Sequence, residues 1–160
     1  MANKRRKARE AALQILYMLE IGKPEPENPA ILRYWEHDWV VESDCHLCPA
    51  ECKDRDKPKS RFSCPVNRQA EINFSRQLVE GVRKEADKID QIIEKHSLNW
   101  KLNRMSFVDR NILRIAVFEL LFCDEIPLKV SINEAIEIAK TYGDKNSAAF
   151  INGILDQIEK

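Results

Sequence analysis

The sequence is poor in glycine and has no long hydrophobic run. Only four of its 160 residues are glycine, whereas all-β folds and phosphate-binding loops usually need more. Its apolar runs are short and interrupted, so no segment is long enough to span a membrane as a helix. Charged residues make up 32% and apolar residues 44% of the chain, which is typical of a soluble, folded protein. These features predict an all-α globular fold.

Motifs for the common catalytic chemistries are also missing. The sequence contains no GxSxG elbow, no HExxH motif and no Walker loop. Its three histidines are scattered, and many acidic residues stand at helical spacing from Lys or Arg, where they usually form a solvated face. Nothing assembles a nucleophile, a base and an oxyanion donor. We therefore expect a protein that is not an enzyme and requires no cofactor for its function.

The N-terminus imitates a secretory signal only superficially. Arg9 and Glu10 interrupt the passage from basic to apolar residues, and no small-residue cleavage site follows. We therefore expect a cytoplasmic protein, in which disulfide bonds are rare.

The net charge is zero, but the charges are unevenly distributed. The chain has 26 Lys and Arg against 26 Asp and Glu, yet its first ten residues carry a balance of +4. The basic residues of this stretch are Lys4, Arg5, Arg6, Lys7 and Arg9. On a helix, Arg5 and Arg9 stack one turn apart. This pattern favours a phosphate-binding patch for nucleic acid over a solvated terminus that only keeps the protein soluble.

Three zones of the chain differ in composition. Residues 3–21 have apolar side chains at steps of three and four, which predicts an amphipathic helix. Residues 22–69 hold six of the seven prolines and four of the five cysteines. Residues 70–160 contain one proline and predict helix after helix. We expect one domain over residues 1–160, with residues 22–69 as a Pro/Cys-rich insertion.

The last zone carries signals for helix starts. Ser106 with Asp109 fits a capping box, and Ser131 with Glu134 fits a second one. Residues 112–121, which follow the first box, are apolar nearly all round. We therefore expect this segment to be the central buried helix.

Two glycines in this zone have predicted roles. Gly143 predicts a left-handed cap at the end of a helix. Gly153 lies inside a final helix predicted from about Ser147 to Ile158, where glycine costs about 1 kcal/mol relative to alanine, so a close helix crossing is expected there. The amides at the start of this last helix could meet a phosphate beside Lys145, although an ordinary capped loop is the simpler interpretation.

Four cysteines of the insertion have short spacings. Cys45, Cys48, Cys52 and Cys64 form the pattern C-x2-C-x3-C-x11-C. Four thiolates could close a structural zinc site, an Fe–S cluster is the second option, and unligated thiols are the third. A metal would supply folding energy that this segment, poor in apolar residues, lacks. Cys123 lies in an apolar helical context and is expected to be structural.

Four blocks of the sequence carry a family resemblance. They are residues 5–17 (RRKAREAALQILY), 109–120 (DRNILRIAVFEL), 126–140 (IPLKVSINEAIEIAK) and 150–156 (FINGILD). In this order they resemble the opening helix, the core helix, the most recognisable motif and the closing helix of the NusB family of bacterial transcription antitermination factors. The resemblance implies an all-α bundle of about seven helices in two small sub-bundles, with the cysteine-containing insertion as a departure from the family.

The resemblance also implies a function and its residues. It implies a factor that binds the boxA element of ribosomal RNA leader transcripts together with NusE, a ribosomal protein, and joins an RNA polymerase antitermination complex away from any membrane. The implied RNA-facing residues are Arg5, Arg6, Arg9, Lys145, Asn146 and Phe150, to which the charge pattern adds Lys4. The implied NusE-facing residues are Tyr17 and Asp109. By spacing alone, Tyr17 is as well explained as a half-buried ring beside the core. Some relatives self-associate, so a homodimer is a further expectation.

Two other functions remain open at this point. A related helical domain stands at the front of a ribosomal RNA cytosine methyltransferase, where it assists substrate binding, but no methyltransferase domain follows Lys160 in this sequence. The second alternative is a metal-dependent interaction protein built around the four cysteines. Family members usually have a shorter connection in place of residues 22–69, so the resemblance does not say what the insertion does.

Overall fold

The computed structural model describes residues 2–22, 69–97 and 100–158, and every regular element in these ranges is helical. The elements are α1 (Ala2–Ile21), α2 (Gln69–Lys84), α3 (Ala86–His96), a 3-10 turn (Leu102–Arg104), α4 (Phe107–Phe122), α5 (Leu128–Tyr142) and α6 (Ser147–Ile158). The all-α prediction is confirmed, with six α-helices in the described ranges where about seven were expected for the chain. No helix among them is long and apolar enough to cross a membrane.

The predicted insertion lies almost wholly outside the described residues. Of residues 22–69, the structure describes only the two ends. The proposed metal ligands Cys45, Cys48, Cys52 and Cys64 therefore lie outside the described part of the chain.

Helix α4 is the centre of the fold. It packs against α1, α2, α3, α5 and α6. Apolar residues on several of its sides are buried, and they form one continuous core with side chains from all of these neighbours. The prediction that this segment is the central buried helix is therefore confirmed. A helix that is apolar nearly all round is stable in water only when other helices cover most of its surface.

Helix α1 lies along α2 and α5 and runs in the same direction as both. Its successive contacts advance together on α2, from Glu71 to Phe74, and on α5, from Glu134 to Tyr142. Small alanines on the buried side of α1, including Ala8 and Ala12, are fully covered. This packing fixes the direction in which the basic first turns of α1 face.

One of the two predicted capping boxes forms in part, and the other is wrong. The hydroxyl of Ser106 accepts the amide of Asp109 at 3.0 Å, but Oδ1 of Asp109 is buried without a hydrogen-bond partner among the described residues. Helix α5 begins at Leu128, so Ser131 and Glu134 lie inside it and bond to other helices. Hydrogen bonds to residues on other helices therefore replace the capping interactions predicted for Ser131 and Glu134.

The two glycine predictions are also wrong. Gly143 has φ −86° and ψ −177°, an extended conformation that does not require glycine. Gly153 faces open space, since an added Cβ would meet no atom within 4 Å. The close crossing occurs instead between α2 and α4, where a Cβ on Gly81 would collide with the ring of Phe118. Sequence spacing could not say which glycine faces a neighbouring helix.

Candidate nucleic-acid interface

The basic residues at the start of α1 differ widely in exposure. Lys4 and Arg5 are exposed, whereas Arg9 is only 2% exposed. The ammonium of Lys4 lies 3.8 Å from Glu71 on α2, and the guanidinium of Arg5 lies 5.5 Å from the centre of the Phe74 ring. The exposure of the predicted basic patch therefore decreases along α1, and its most accessible charges lie in the first turn.

Arg9 is held by a buried carboxylate. Its Nε and Nη2 donate to the two oxygens of Glu119 at 2.7 and 3.0 Å, and the hydroxyl of Ser131 donates to the same carboxylate at 2.7 Å. Separating such a pair would leave uncompensated charge in the core, at a cost of several kcal/mol. The predicted RNA contact of Arg9 stays a prediction, but in this structure the side chain joins α1 to α4.

Arg6 forms a similar fork at the protein surface. Its Nε and Nη2 each donate to Glu134 on α5 at 2.9 Å, and 38% of its side chain remains exposed. The hydrogen bonds from Arg6 to Glu134 raise the pKa of the arginine, so its positive charge is retained at any physiological pH. Guanidinium forks suit both carboxylate and phosphate, and in this structure the fork of Arg6 holds Glu134, so its predicted RNA contact stays a prediction.

The predicted second region, between α5 and α6, places Lys145 and Asn146 on the surface. Its backbone amides are already in use, because Oδ1 of Asp144 accepts the amides of Asn146 at 2.8 Å and Ser147 at 3.1 Å. The structure therefore has the ordinary capped loop, and a phosphate here would meet side chains before amides. Phe150, one turn further along α6, is half-buried.

The two regions are joined along α1 and α5. Gln14 donates to the hydroxyl of Tyr142 at 3.3 Å, two turns beyond the Arg6–Glu134 contact on both helices. Eight residues of helix span about 12 Å. The basic end of α1 and the loop after α5 are consequently parts of one elongated surface.

Sequence reasoning missed three residues of the candidate site, of which Glu119 is buried beneath the surface. Glu119 and Glu134 were not recognised as partners of the arginines, although a glutamate inside the apolar α4 segment signals a buried partner. Trp100 is exposed, and its ring contacts Phe150 with 5.8 Å between centroids. The signal for Trp100 was the pair of basic residues that follows it, Lys101 and Arg104, with no acid between them.

The residues predicted to face NusE lie near the other end of α1. Tyr17 is exposed, and its ring meets Phe107 edge-on at 6.3 Å. Met18 and Ile21 are also exposed, so this end carries an apolar patch. Asp109 is buried and its Oδ1 lacks a partner among the described residues, so its predicted contact with NusE stays a prediction.

A network of charged side chains supports this end of α1. The carboxylate of Glu20 accepts hydrogen bonds from Arg110, from Asn111 at 2.7 Å and from Arg114 at 3.2 Å. Arg114 also forks onto Asp90 of α3 with two bonds of 2.7 Å. These contacts join α1, α3 and α4, and they fix the position of the apolar patch.

Cys123 has the structural role expected of it. Its side chain is buried, and burial raises the pKa of the thiol to about 11. The thiol therefore stays protonated at neutral pH and is a poor metal ligand. Within residues 2–22, 69–97 and 100–158, no group of three or more His, Cys, Asp or Glu side chains is arranged to hold a metal.

Comparisons with known proteins agree on one family. The sequence profile of the NusB family matches residues 6–160. The transcription antitermination protein NusB of Myxococcus xanthus (strain DK1622) is 42% identical over 154 residues, covering 96% of this chain and 93% of the relative. That of Syntrophus aciditrophicus (strain SB) is 44% identical over 154 residues, covering 96% and 78%.

Solved structures have the same fold. A crystal form of T. maritima NusB is 33% identical, with a TM-score of 0.71 and coverage of 96% of this chain and 89% of that chain. A crystal structure of the antitermination factors NusB and NusE in complex with double-stranded RNA is 23% identical, with a TM-score of 0.72 and coverage of 99% and 97%.

Proposed function

This chain belongs to the NusB family, and on that premise we propose that it is an RNA-binding transcription antitermination factor. The family is non-enzymatic and needs no cofactor. Together with NusE, the protein binds the boxA element of ribosomal RNA leader transcripts and supports a processive RNA polymerase complex.

The observation that carries this proposal is the exposed basic end of α1. No acidic residue stands in the first turn of this helix, where an acid would complement the positive end of the helix dipole. Lys4 and Arg5 are instead exposed at that end, and Arg6 is half-exposed. Side-chain charge and helix dipole therefore add, and both attract the phosphates of single-stranded RNA.

The second region contributes contacts to bases. Asn146 offers an amide for hydrogen bonds to base edges, Lys145 adds a positive charge, and Phe150 contributes an aromatic ring for stacking. All three follow the Gln14–Tyr142 contact that links this loop to α1. An RNA strand that begins on Arg5 and Arg6 can therefore continue to this loop along α5.

The apolar patch at the far end of α1 suits a protein partner. Tyr17, Met18, Ile21 and Phe107 are exposed together, whereas RNA phosphates would favour basic side chains there. We assign this patch to NusE, and the contact of Asp109 with NusE stays a prediction, because its unpartnered Oδ1 is buried. A second copy of the chain is the alternative occupant, and light scattering of the purified protein with and without NusE distinguishes the two.

The test of RNA binding is a salt titration with single-stranded boxA RNA and a scrambled RNA of equal length. The double variant Arg5→Ala/Arg6→Ala is expected to weaken boxA binding roughly tenfold or more, and to reduce the slope of log K against log salt by about 1.4, since each phosphate contact of a single strand contributes about 0.7. The matched control is Arg83→Ala, an exposed arginine of α2. Arg9 is left intact, because its removal would also break the buried pair with Glu119.

Unchanged affinity and slope in the double variant would refute the assignment of RNA to α1. A second arm adds NusE, which is expected to tighten RNA binding. Tyr17→Ala should abolish that gain and leave the affinity for RNA alone unchanged.

A further inference from the structure

Trp100 is a large aromatic side chain held on a fixed backbone at the surface. It stands between α3 and α4, and 52% of it is exposed. Its amide donates to the carbonyl of Ser97 at 2.7 Å, and the hydroxyl of Ser97 donates to its carbonyl at 2.7 Å. Ser97 is itself buried. Single exposed apolar residues are common, but here the backbone is fixed in place by two short hydrogen bonds.

The indole of Trp100 is paired with the ring of Phe150. The two rings meet edge-to-face, with an interplanar angle of 72°. This geometry uses one face of one ring and leaves the remaining exposed ring surface uncovered. Asn146 stands directly before α6 and one turn before Phe150, so the two residues lie on the same side of this end of the helix. The amide of Phe150 donates to the carbonyl of Asn146 at 3.0 Å. The aromatic pair is therefore continuous with the loop assigned to RNA.

The segment that follows Trp100 is positively charged. Lys101, Asn103 and Arg104 are all exposed, and residues 100–105 contain no acid. The 3-10 turn that follows Lys101 is anchored by the buried side chain of Leu102, and the carbonyl of Leu102 accepts Nη1 of Arg110 at 3.0 Å. Residues 100–104 thus present one aromatic ring and two positive charges from an anchored segment.

From these observations we propose that Trp100 and Phe150 form a stacking site for an unpaired nucleobase, with Lys101 and Arg104 holding the adjacent phosphates. An aromatic ring beside basic side chains is the combination that binds single-stranded nucleic acid. A purely apolar protein segment would gain nothing from the two cations. The site rests on the proposed RNA-binding function and extends it beyond the residues implied by the family resemblance.

The experiment measures binding of fluorescein-labelled single-stranded boxA RNA, and of a series of the same RNA with one abasic nucleotide at each position in turn. Trp100→Ala is expected to weaken binding of the intact RNA roughly 5- to 150-fold, the range for one stacked base, and Trp100→Phe to keep most of the affinity. One abasic RNA should lack the stacked base. The wild type should bind this RNA more weakly than the intact RNA, whereas Trp100→Ala should bind the two RNAs equally. The matched control is Leu121→Ala, another exposed apolar residue, on α4.

The outcomes separate this site from the proposed function. If the wild type binds boxA RNA and Trp100→Ala binds it equally well, the stacking site is wrong and the proposed function stands. A loss that is the same for every abasic RNA, accompanied by a lower melting temperature, assigns Trp100 a structural role and also overturns the site. A loss of NusE binding alone assigns it to a protein interface. If the wild type binds no RNA, the proposed function fails, and the site fails with it.

Discussion

Helices α1 and α2 lie side by side and run in the same direction, but their charges are arranged in opposite ways. Helix α2 has Glu71 in its first turn and Arg83 and Lys84 in its last turn, an order that complements the helix dipole. Helix α1 has basic residues at its start and Glu20 near its end, with no acid in the first turn and no base in the last. The charges of α1 therefore oppose its own dipole.

The charges of the two helices are stabilised in different ways. The charges of α2 stabilise the helix that carries them. Those of α1 are unfavourable locally and are stabilised by other helices, Arg9 by Glu119 and Glu20 by residues of α4. Lys4 and Arg5, at the exposed start, contact Glu71 and Phe74 of α2, although an acid at this position would suit the helix dipole better. A basic N-terminus of this kind agrees with the RNA-binding function proposed above.

The largest effect is expected where α1 depends on a buried partner. Glu119→Ala should lower the free energy of unfolding by about 3–5 kcal/mol, because it removes both hydrogen bonds that hold the buried charge of Arg9 and leaves that charge with the more distant carboxylate of Glu134 at 3.8 Å. Urea denaturation measures the loss. Glu137→Ala removes an exposed carboxylate paired with Lys140 and should leave the midpoint almost unchanged. Equal losses in the two variants would show that α1 does not depend on the buried pair.

A smaller loss is expected at the other end of α1. Glu20→Ala removes hydrogen bonds to two arginines at a partly exposed site, which should cost about 2 kcal/mol. The corresponding change in α2, Glu71→Ala, removes a dipole-compatible acid and should cost about 0.3–1 kcal/mol. Thermal unfolding of both variants measures the difference. A greater loss of stability for Glu71→Ala than for Glu20→Ala would contradict the conclusion that the charges of α1 depend on contacts with other helices more than those of α2 do.

RNA binding should also respond to a change at Glu134. If its carboxylate competes with RNA for Arg6, Glu134→Gln should tighten boxA binding by roughly threefold at low salt, and the gain should shrink as salt screens the charges. Glu137→Gln, one turn away on α5 and also near Arg6, is the matched control and should have less effect. Weaker binding by Glu134→Gln would mean that the carboxylate positions Arg6 instead of competing for it.

The smallest effect concerns pH. Burial raises the pKa of Glu10 above its ordinary value, so its ionisation opposes folding as the pH rises through that pKa. Glu10→Gln should therefore be more stable than the wild type at neutral pH, by a few tenths of a kcal/mol for a half-exposed group. The advantage should vanish below about pH 4.3, where the carboxyl is protonated in both the folded and unfolded states.

The control for this pH dependence has the opposite sign. The hydrogen bond from Lys88 lowers the pKa of Glu85. Glu85→Gln should therefore lose stability at neutral pH, and the loss should vanish at low pH. Unfolding curves at several pH values test both variants, and matching profiles would contradict the burial of Glu10.

Local patterns in the sequence predicted those parts of the fold that local forces determine. The final helix was expected from about Ser147 to Ile158 and has these bounds. The apolar run of α4 predicted its central position, and the hydroxyl of Ser106 caps α4 as expected. In each of these cases the deciding interactions lie within a few residues of one another, or depend only on how apolar the segment is.

Contacts between distant residues could not be predicted in this way. The spacing of Ser131 and Glu134 fits a capping box, but their partners Glu119 and Arg6 lie on other helices. Gly81 was not distinguished from Gly153, because only packing decides which glycine meets a neighbouring ring. The sequence does not distinguish Arg5, Arg6 and Arg9, which lie on one basic stretch. In the structure Arg5 is exposed, Arg6 is half-exposed and Arg9 is buried.

The sequence by itself determined the all-α fold, the central helix, the excess of positive charge at the N-terminus and the family. The tertiary structure decided which of those charges can reach a ligand, because burial and pairing depend on groups more than a hundred residues away along the chain. It also brought Trp100 to Phe150. A basic stretch is a property of composition, whereas a binding surface is a property of what remains exposed after the helices have packed.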